Sequence, residues 1–297
     1  MRQFATPLAF KASLEQRLRN KVTESGLDLY RLRQLVVYER FLARVFQVFE
    51  DDAVLKGGLV LELRLQRARA TKDVDLNLKG SPEEILLRLQ EAGRLQGPDF
   101  MNFEISVDEK HPHIQVEGLP YGGLRFKAQA HLAGKIYGSK FGVDVALADF
   151  RGEGDKISPN SLLDFAGIEP PTVHAYPIGL HIAEKFHAYT LPRTGLNSRV
   201  KDLPDMALLG TAQSLNSEDL KEALQTTFEH RNTHQLPTIV PPPPQNWGPI
   251  YERMAAANFL IWPDLASVKE AVDAFLNPLL EGVVGVWDPV GWVWHRL

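Results

Sequence analysis

A chain of 297 residues is about twice the usual length of one domain, so one large α/β unit and two units are both open. Apolar residues make up 44% and charged residues 24% of it, with a mean hydropathy of -0.19, which excludes a disordered chain, a collagen-like repeat and a membrane bundle. Zero cysteines exclude disulfides, thiolate zinc sites, iron–sulfur clusters and a Cys nucleophile, so any metal is held by oxygen or imidazole.

No apolar run approaches the ~18–20 residues that cross a bilayer, and the first residues carry no signal-peptide pattern. The expected location is cytoplasmic, with no membrane partner. The net charge of -4 hides an asymmetry: Met1 to Lys72 holds 14 Lys and Arg against 8 Asp and Glu, an excess of +6 that leaves -10 for the rest. A basic front segment is compatible with a phosphate-rich partner such as RNA, although a solvated helix face gives the same count.

In chain order, Lys11 to Val22 reads as a short helix ended by Glu24-Ser25-Gly26. From Leu27 to Phe49, Leu32, Leu35, Val36, Phe41, Val45, Phe46 and Phe49 recur near the helical period, with arginines between them. Val54 to Lys56 predicts a strand, Gly57-Gly58 a tight turn, and Leu59 to Leu65 the opening of a helix. Val74 to Leu78 alternates as a half-buried strand does. Ser81-Pro82-Glu83-Glu84 then supplies an N-cap, an N1 proline and a capping glutamate for a helix to about Leu95. Strands are expected at Phe103–Val107, Ile114–Glu117, Gly123–Leu132 and Phe141–Leu147, giving a mixed sheet with helices on one side. After Pro170-Pro171 the pattern turns helical, at Ile178–Tyr189, Arg199–Leu209, Ser217–Thr226, Tyr251–Leu260 and Leu265–Phe275, with Pro241 to Pro244 as a stiff spacer. All five tryptophans follow residue 246 and are expected to pack the tail onto the body or a partner. Two domains are expected, 1–170 and 171–297.

The stretch richest in chemistry is Lys56-Gly57-Gly58, followed by Arg69-Ala70-Thr71-Lys72-Asp73-Val74-Asp75. Residues two apart on a strand share a face, so Asp73 and Asp75 present two carboxylates side by side. Mg²⁺ takes one or two such carboxylates plus phosphate oxygens. The glycine turn before a helix offers backbone N–H groups to those phosphates, and Arg64, Arg67, Arg69 and Lys72 crowd the approach. Asp144, alone among apolar neighbours in Phe141–Leu147, needs a cation or donors nearby. Set beside Asp73 and Asp75 it would complete a three-carboxylate, two-metal site. Asp149 is the weaker substitute.

These segments, with Ala183-Glu184-Lys185-Phe186-His187-Ala188 and Asn197-Ser198-Arg199-Val200-Lys201-Asp202-Leu203-Pro204-Asp205, resemble the AbiEii/AbiGii-type nucleotidyltransferase toxins over roughly Lys56 to Leu209. The resemblance implies a mixed α/β fold: a polymerase β-like nucleotidyltransferase sheet preceded by N-terminal helices and followed by a mainly helical C-terminal domain. It implies a nucleoside triphosphate substrate, Mg²⁺ or Mn²⁺, an RNA acceptor such as a tRNA 3′ end, and a cognate antitoxin. By position, Lys56, Gly57, Gly58, Arg69, Thr71 and Lys185 become nucleotide-binding candidates, and Asp73, Asp75 and Asp144 metal ligands. Those three acids, Lys185 and Asp202 become the catalytic set. Gly57-Gly58 stands where many of the wider superfamily have Gly-Ser, which removes a hydroxyl and leaves backbone N–H groups for the phosphates.

Weaker candidates are His111, His113 and His131, which lack supporting carboxylate spacing, and Glu184, expected to partner an arginine. His174, His181 and His187 do not form a His-Glu-x-x-His pattern. Taken without the resemblance, Lys185 and Asp202 read as an interhelical salt bridge. Two rival functions remain: a nucleotidyltransferase acting on a small-molecule hydroxyl, and an inactive module that binds nucleotide or antitoxin.

Overall fold

The computed structural model describes residues 4–65, 71–114, 122–147, 154–159, 161–193 and 199–296. They form two compact units, one from Met1–Leu63, Thr71–Val116 and Tyr121–Ala175, the other from Tyr176–Leu297 together with Arg64. Arg67, Arg69, Asp149, Asn197 and Ser198 lie outside the described residues.

The first unit opens with α1 (Pro7–Ser25) and α2 (Leu29–Phe49). Thr6 caps α1 by accepting from the Ala9 amide at 3.1 Å, with Pro7 at the position where a missing N–H costs nothing. Gly26 ends it at φ 72°, a backbone state glycine enters without strain. Asp28 caps α2. Then follow β1 (Ala53–Lys56), α3 (Gly57–Arg64), β2 (Asp73–Leu78) and α4 (Pro82–Arg94). The capping box of Ser81 and Glu84 forms as the sequence predicts. The rest of the unit is β3 (Met101–Val107), β4 (His113–Ile114), β5 (Gly123–Leu132), β6 (Lys135–Ile136), β7 (Phe141–Leu147), β8 (Asp155–Ile157) and β9 (Val173–Ala175).

Among the described residues these strands make one mixed sheet in the order β3-β5-β7-β2-β1-β9-β8, with β4 and β6 paired to β5. β2 runs parallel to β7 and antiparallel to β1. One sheet face is apolar: Leu55, Val74, Leu76, Phe126, Ala128, Val143 and Val145 join Phe10, Leu14, Val37, Phe41 and Val45 of α1 and α2 in a single core. Alternation then sends Lys56, Asp73, Asp75, Arg125, Lys127 and Asp144 to the opposite face.

The arginines of α2 are not a solvated basic stripe. Arg44 is buried and doubly bonded to Asp99, at 2.6 and 3.0 Å, and donates to the Arg40, Leu95 and Met101 carbonyls. Arg40 pairs with Glu39 at 2.6 Å, Arg31 with Glu62 at 3.0 Å, and Arg33 with Glu15 at 2.8 Å. Three of these four pairs use acids of the front segment itself and only Asp99 lies beyond it, so the α2 arginines are withdrawn from the surface while the segment's excess charge is scarcely reduced.

The second unit contains α5 (Ile178–Thr190), α6 (Asp202–Gly210), β10 (Leu215–Asn216), α7 (Ser217–Arg231), α8 (Gly248–Asn258), α9 (Leu265–Leu280), β11 (Gly285–Asp288) and β12 (Val293–Arg296). The last two strands and β10 form a small antiparallel sheet that helical periodicity did not reveal. Its tryptophans pack within the unit: Trp287 donates to the Gly210 carbonyl at 2.8 Å, Trp294 to that of Phe275 at 2.7 Å and Trp292 to that of Ala271 at 3.1 Å. No described helix is long and apolar enough to cross a membrane.

Candidate active site

The polar face of the first unit's sheet carries a charged rung across four strands. Lys56 of β1 is the register partner of Asp75 on β2, Asp75 that of Asp144 on β7, and Asp144 that of Arg125 on β5. Register partners on neighbouring strands project to the same side, so the four side chains stand in one row. In the next rung Asp73 is opposite Gly142, and Gly142 opposite Lys127.

Two glycines make the close approaches possible. Gly57 opens α3 directly, with φ 69°, and a Cβ added there would overlap the Asp75 carboxylate. The glycine turn and the second acid of the pair are thus in contact, brought together by the β1–β2 register although 18 positions separate them in the chain. A Cβ at Gly142 would overlap the Asp73 carboxylate, so that acid leans over the neighbouring strand. Gly58 is buried behind Gly57. Thr71 uses its hydroxyl on the Asp73 carbonyl at 3.2 Å, while its own carbonyl accepts from Tyr38 at 3.4 Å; both bonds fix the entry to β2. Burial, reinforced by Glu62 and Asp73, pushes the Tyr38 phenol well above its ordinary range. Sequence reasoning missed Tyr38, whose helical position gives no sign of a polar partner.

Arg125 was missed as well. Its Nε and Nη2 donate to the two oxygens of Asp144 at 2.7 and 2.6 Å. That carboxylate holds the guanidinium far above its usual pKa, with smaller contributions from Asp73 and Asp108. The strand therefore supplies Asp144 with the partner that an acid among apolar neighbours requires. Lys127 is held by Asp108 at 2.9 Å.

Asp73 and Asp75 offer hard oxygen donors at alternate positions of one strand, which fits a divalent ion that completes its shell with phosphate oxygens. Asp144 lies beside them, but both its oxygens are engaged by Arg125. Among the described residues, no three His, Asp or Glu side chains are grouped to hold a metal ion. His131 faces Glu104 at 3.6 Å.

In the second unit Lys185 of α5 reaches two acids of α6, Asp202 at 3.2 Å and Asp205 at 2.8 Å. The side chain of Asp205 is fully buried and that of Asp202 nearly so, and Arg199 approaches Asp202 at 3.8 Å. Three positions apart on a helix, the two acids share a face; the sequence pointed to Asp202, and Asp205 holds the shorter bond. Glu184 accepts from Tyr176 at 3.1 Å and pairs with Arg231 at 3.4 Å, the structural role expected of it.

The model of a family described as the nucleotidyl transferase AbiEii toxin of type IV toxin–antitoxin systems matches residues 40–284. No curated protein matches the chain by sequence. Among solved structures, MenT4, a nucleotidyltransferase toxin from Mycobacterium tuberculosis H37Rv, superposes with a TM-score of 0.58 at 12% identity, covering 94% of this chain and 92% of that one. JHP933 from Helicobacter pylori gives 0.48 at 13% identity, over 86% of this chain and 91% of that one.

Proposed function

The chain belongs to the AbiEii family of nucleotidyltransferase toxins of type IV toxin–antitoxin systems, and from that premise we propose that it moves a nucleoside monophosphate from an NTP to an RNA hydroxyl, such as that of a tRNA 3′ end. An acceptor oxygen forms a new bond to the α-phosphorus while the α–β bridging bond breaks. The hydroxyl proton passes to solvent or a base, and pyrophosphate leaves.

The observation that carries this is the contact of Asp75 with Gly57, which sets a carboxylate against a helix N-terminus. A phosphate chain bound by the amides of Gly57 and Gly58 lies within reach of Asp75, Asp73 and Lys56. Asp73 and Asp75 are the residues that would hold Mg²⁺ or Mn²⁺, which would supply positive charge beside the substrate's phosphates. Thr71 shapes the strand entry; Arg69, Lys185 and Asp202 join the proposed nucleotide-binding and catalytic residues on the strength of the family resemblance. The RNA acceptor rests on the same resemblance, and a cognate antitoxin is the partner such a toxin implies.

Incubation of the purified protein with each labelled NTP, Mg²⁺ and total RNA is expected to label a discrete RNA class. Asp75→Ala is expected to lower that labelling at least ~100-fold, since a lost metal contact removes several kcal/mol from the transition state. Label that persists in the Asp75→Ala protein refutes the assignment. Label transferred only to an added small-molecule alcohol would point to the small-molecule rival, and tight NTP binding without turnover to the inactive module.

A further inference from the structure

We propose that Asp144 is a positioning residue rather than a metal ligand, and that it aims Arg125 at the phosphate chain of the substrate. The inference deepens the nucleotidyltransferase assignment and rests on it. It starts from the order of charges along the rung, which runs Lys56, Asp75, Asp144, Arg125. A pair of adjacent acids flanked by two cations can divide in two ways. Either both acids grip a metal and the cations merely neutralise them, or each end of the rung is a separate device.

The geometry favours division. Both oxygens of Asp144 are filled by the fork of Arg125, at 2.7 and 2.6 Å, the bidentate arrangement that gives the strongest and most directional of charge-assisted pairs. The side chain of Asp144 is 15% exposed and that of Arg125 is 35% exposed, so the acid is the anchored end and the guanidinium the presented one. For Asp144 to turn to a metal, two short hydrogen bonds would break and a half-buried guanidinium would lose its counter-ion. No such cost falls on Arg125 when it takes a phosphate, because Nη1 makes no hydrogen bond among the described residues and a guanidinium can serve an acid on one edge and a phosphate on another. The Cα of Arg125 stands two strand spacings, about 10 Å, from that of Asp75. A phosphate chain fixed at Gly57 and Asp75 and an arginine side chain can close that distance between them. Lys56 stands on the other side of Asp75, and Asp75 with Asp73 remain the acids of the proposed metal site.

The test uses the full chain and a base-independent probe, inorganic tripolyphosphate, with Mn²⁺ binding measured separately by electron paramagnetic resonance. Arg125→Gln is expected to weaken tripolyphosphate about 10-fold or more in the absence of metal, the loss of one charge-assisted contact. Arg125→Lys should fall between it and the wild type. Asp144→Asn should weaken tripolyphosphate similarly and leave Mn²⁺ affinity within about 2-fold, and the double variant should be no worse than Arg125→Gln, as when one residue acts through the other. Thermal midpoints of the variants separate a folding defect from a binding one, and Arg125→Lys keeps the ion pair if Arg125→Gln does not fold. Loss of Mn²⁺ binding in Asp144→Asn to the degree seen in Asp75→Asn would overturn the proposal, as would unchanged tripolyphosphate affinity in Arg125→Gln. Mn²⁺ binding that is indifferent to Asp75→Asn would instead overturn the metal assignment, leaving the metal-free arm to judge Arg125.

Discussion

Gly57 is under two independent constraints, and each excludes a side chain. Its φ of 69° disfavours any L-residue with a Cβ, and the space a Cβ would take is filled by the Asp75 carboxylate. Gly57→Ala is therefore expected to cost ~1–3 kcal/mol of stability from backbone strain and, by displacing Asp75, to reduce nucleotide transfer by a factor on the order of 100; denaturant midpoints and single-turnover labelling measure the two effects separately. Lys185 makes the opposite case. Removing it takes the lysine from two buried acids, Asp202 and Asp205, with Arg199 still 3.8 Å from Asp202, so Lys185→Ala should destabilise by about 3 kcal/mol whatever it does to activity. A variant that keeps full stability while losing activity would show that the ion pair is not what holds α5 to α6. His187 gives a pH-dependent counterpart in the same unit. Burial, with His234 beside it, pushes its imidazole from 6.5 down to about 4, and it bonds Thr233 at 2.7 Å. In that window the unfolded chain binds more protons than the folded one, so stability is complete above pH 6.5 and falls as pH drops toward 4. Tryptophan-monitored melting at pH 7 and pH 5 should show the drop, and His187→Gln should flatten it.

At the scale of elements, what could be read in advance depended on whether a signal was local. The end of α1 at Gly26, the capping box of α4 and the alternation of β2 are written in adjacent residues, and the structure has them. Asp144 could be singled out because one acid stands in an apolar strand. Its bond to Arg125 could not, since alternation fixes which side chains share a face but leaves open which strand lies next and in what register. The contact of Asp75 with Gly57 has the same origin, as has the pairing of Lys185 with Asp205. β11 and β12 escaped notice because four-residue strands rich in tryptophan look like any apolar tail until they are paired. Arg44 shows the converse error: its helical spacing is that of a polar face, yet it is buried against Asp99, whose carboxylate also caps the Met101 amide at 2.8 Å. Asp99 thereby ties α2 to the segment joining α4 and β3.

Over the whole molecule, the two compact units carry unequal reporters. Every tryptophan, from Trp247 to Trp294, lies in the second unit, and Trp287 and Trp294 sit in its core around Phe275, at ring distances of 4.7 and 6.3 Å. The first unit has its own core and the Arg44–Asp99 pair but no tryptophan. Indole emission therefore follows unfolding of the second unit, while far-ultraviolet circular dichroism follows both. Removing Asp99 leaves the guanidinium of Arg44 buried without a counter-ion at bonding distance, which is expected to cost ~3–5 kcal/mol. That loss belongs to the first unit, and large proteins commonly unfold unit by unit. In Asp99→Ala the dichroism transition is expected to broaden and begin at lower guanidinium concentration, while the emission midpoint stays where it is in the wild type. An equal displacement of both signals would mean that the chain unfolds as one cooperative body, in which case a substitution in the sheet would weaken the helical unit by the same amount.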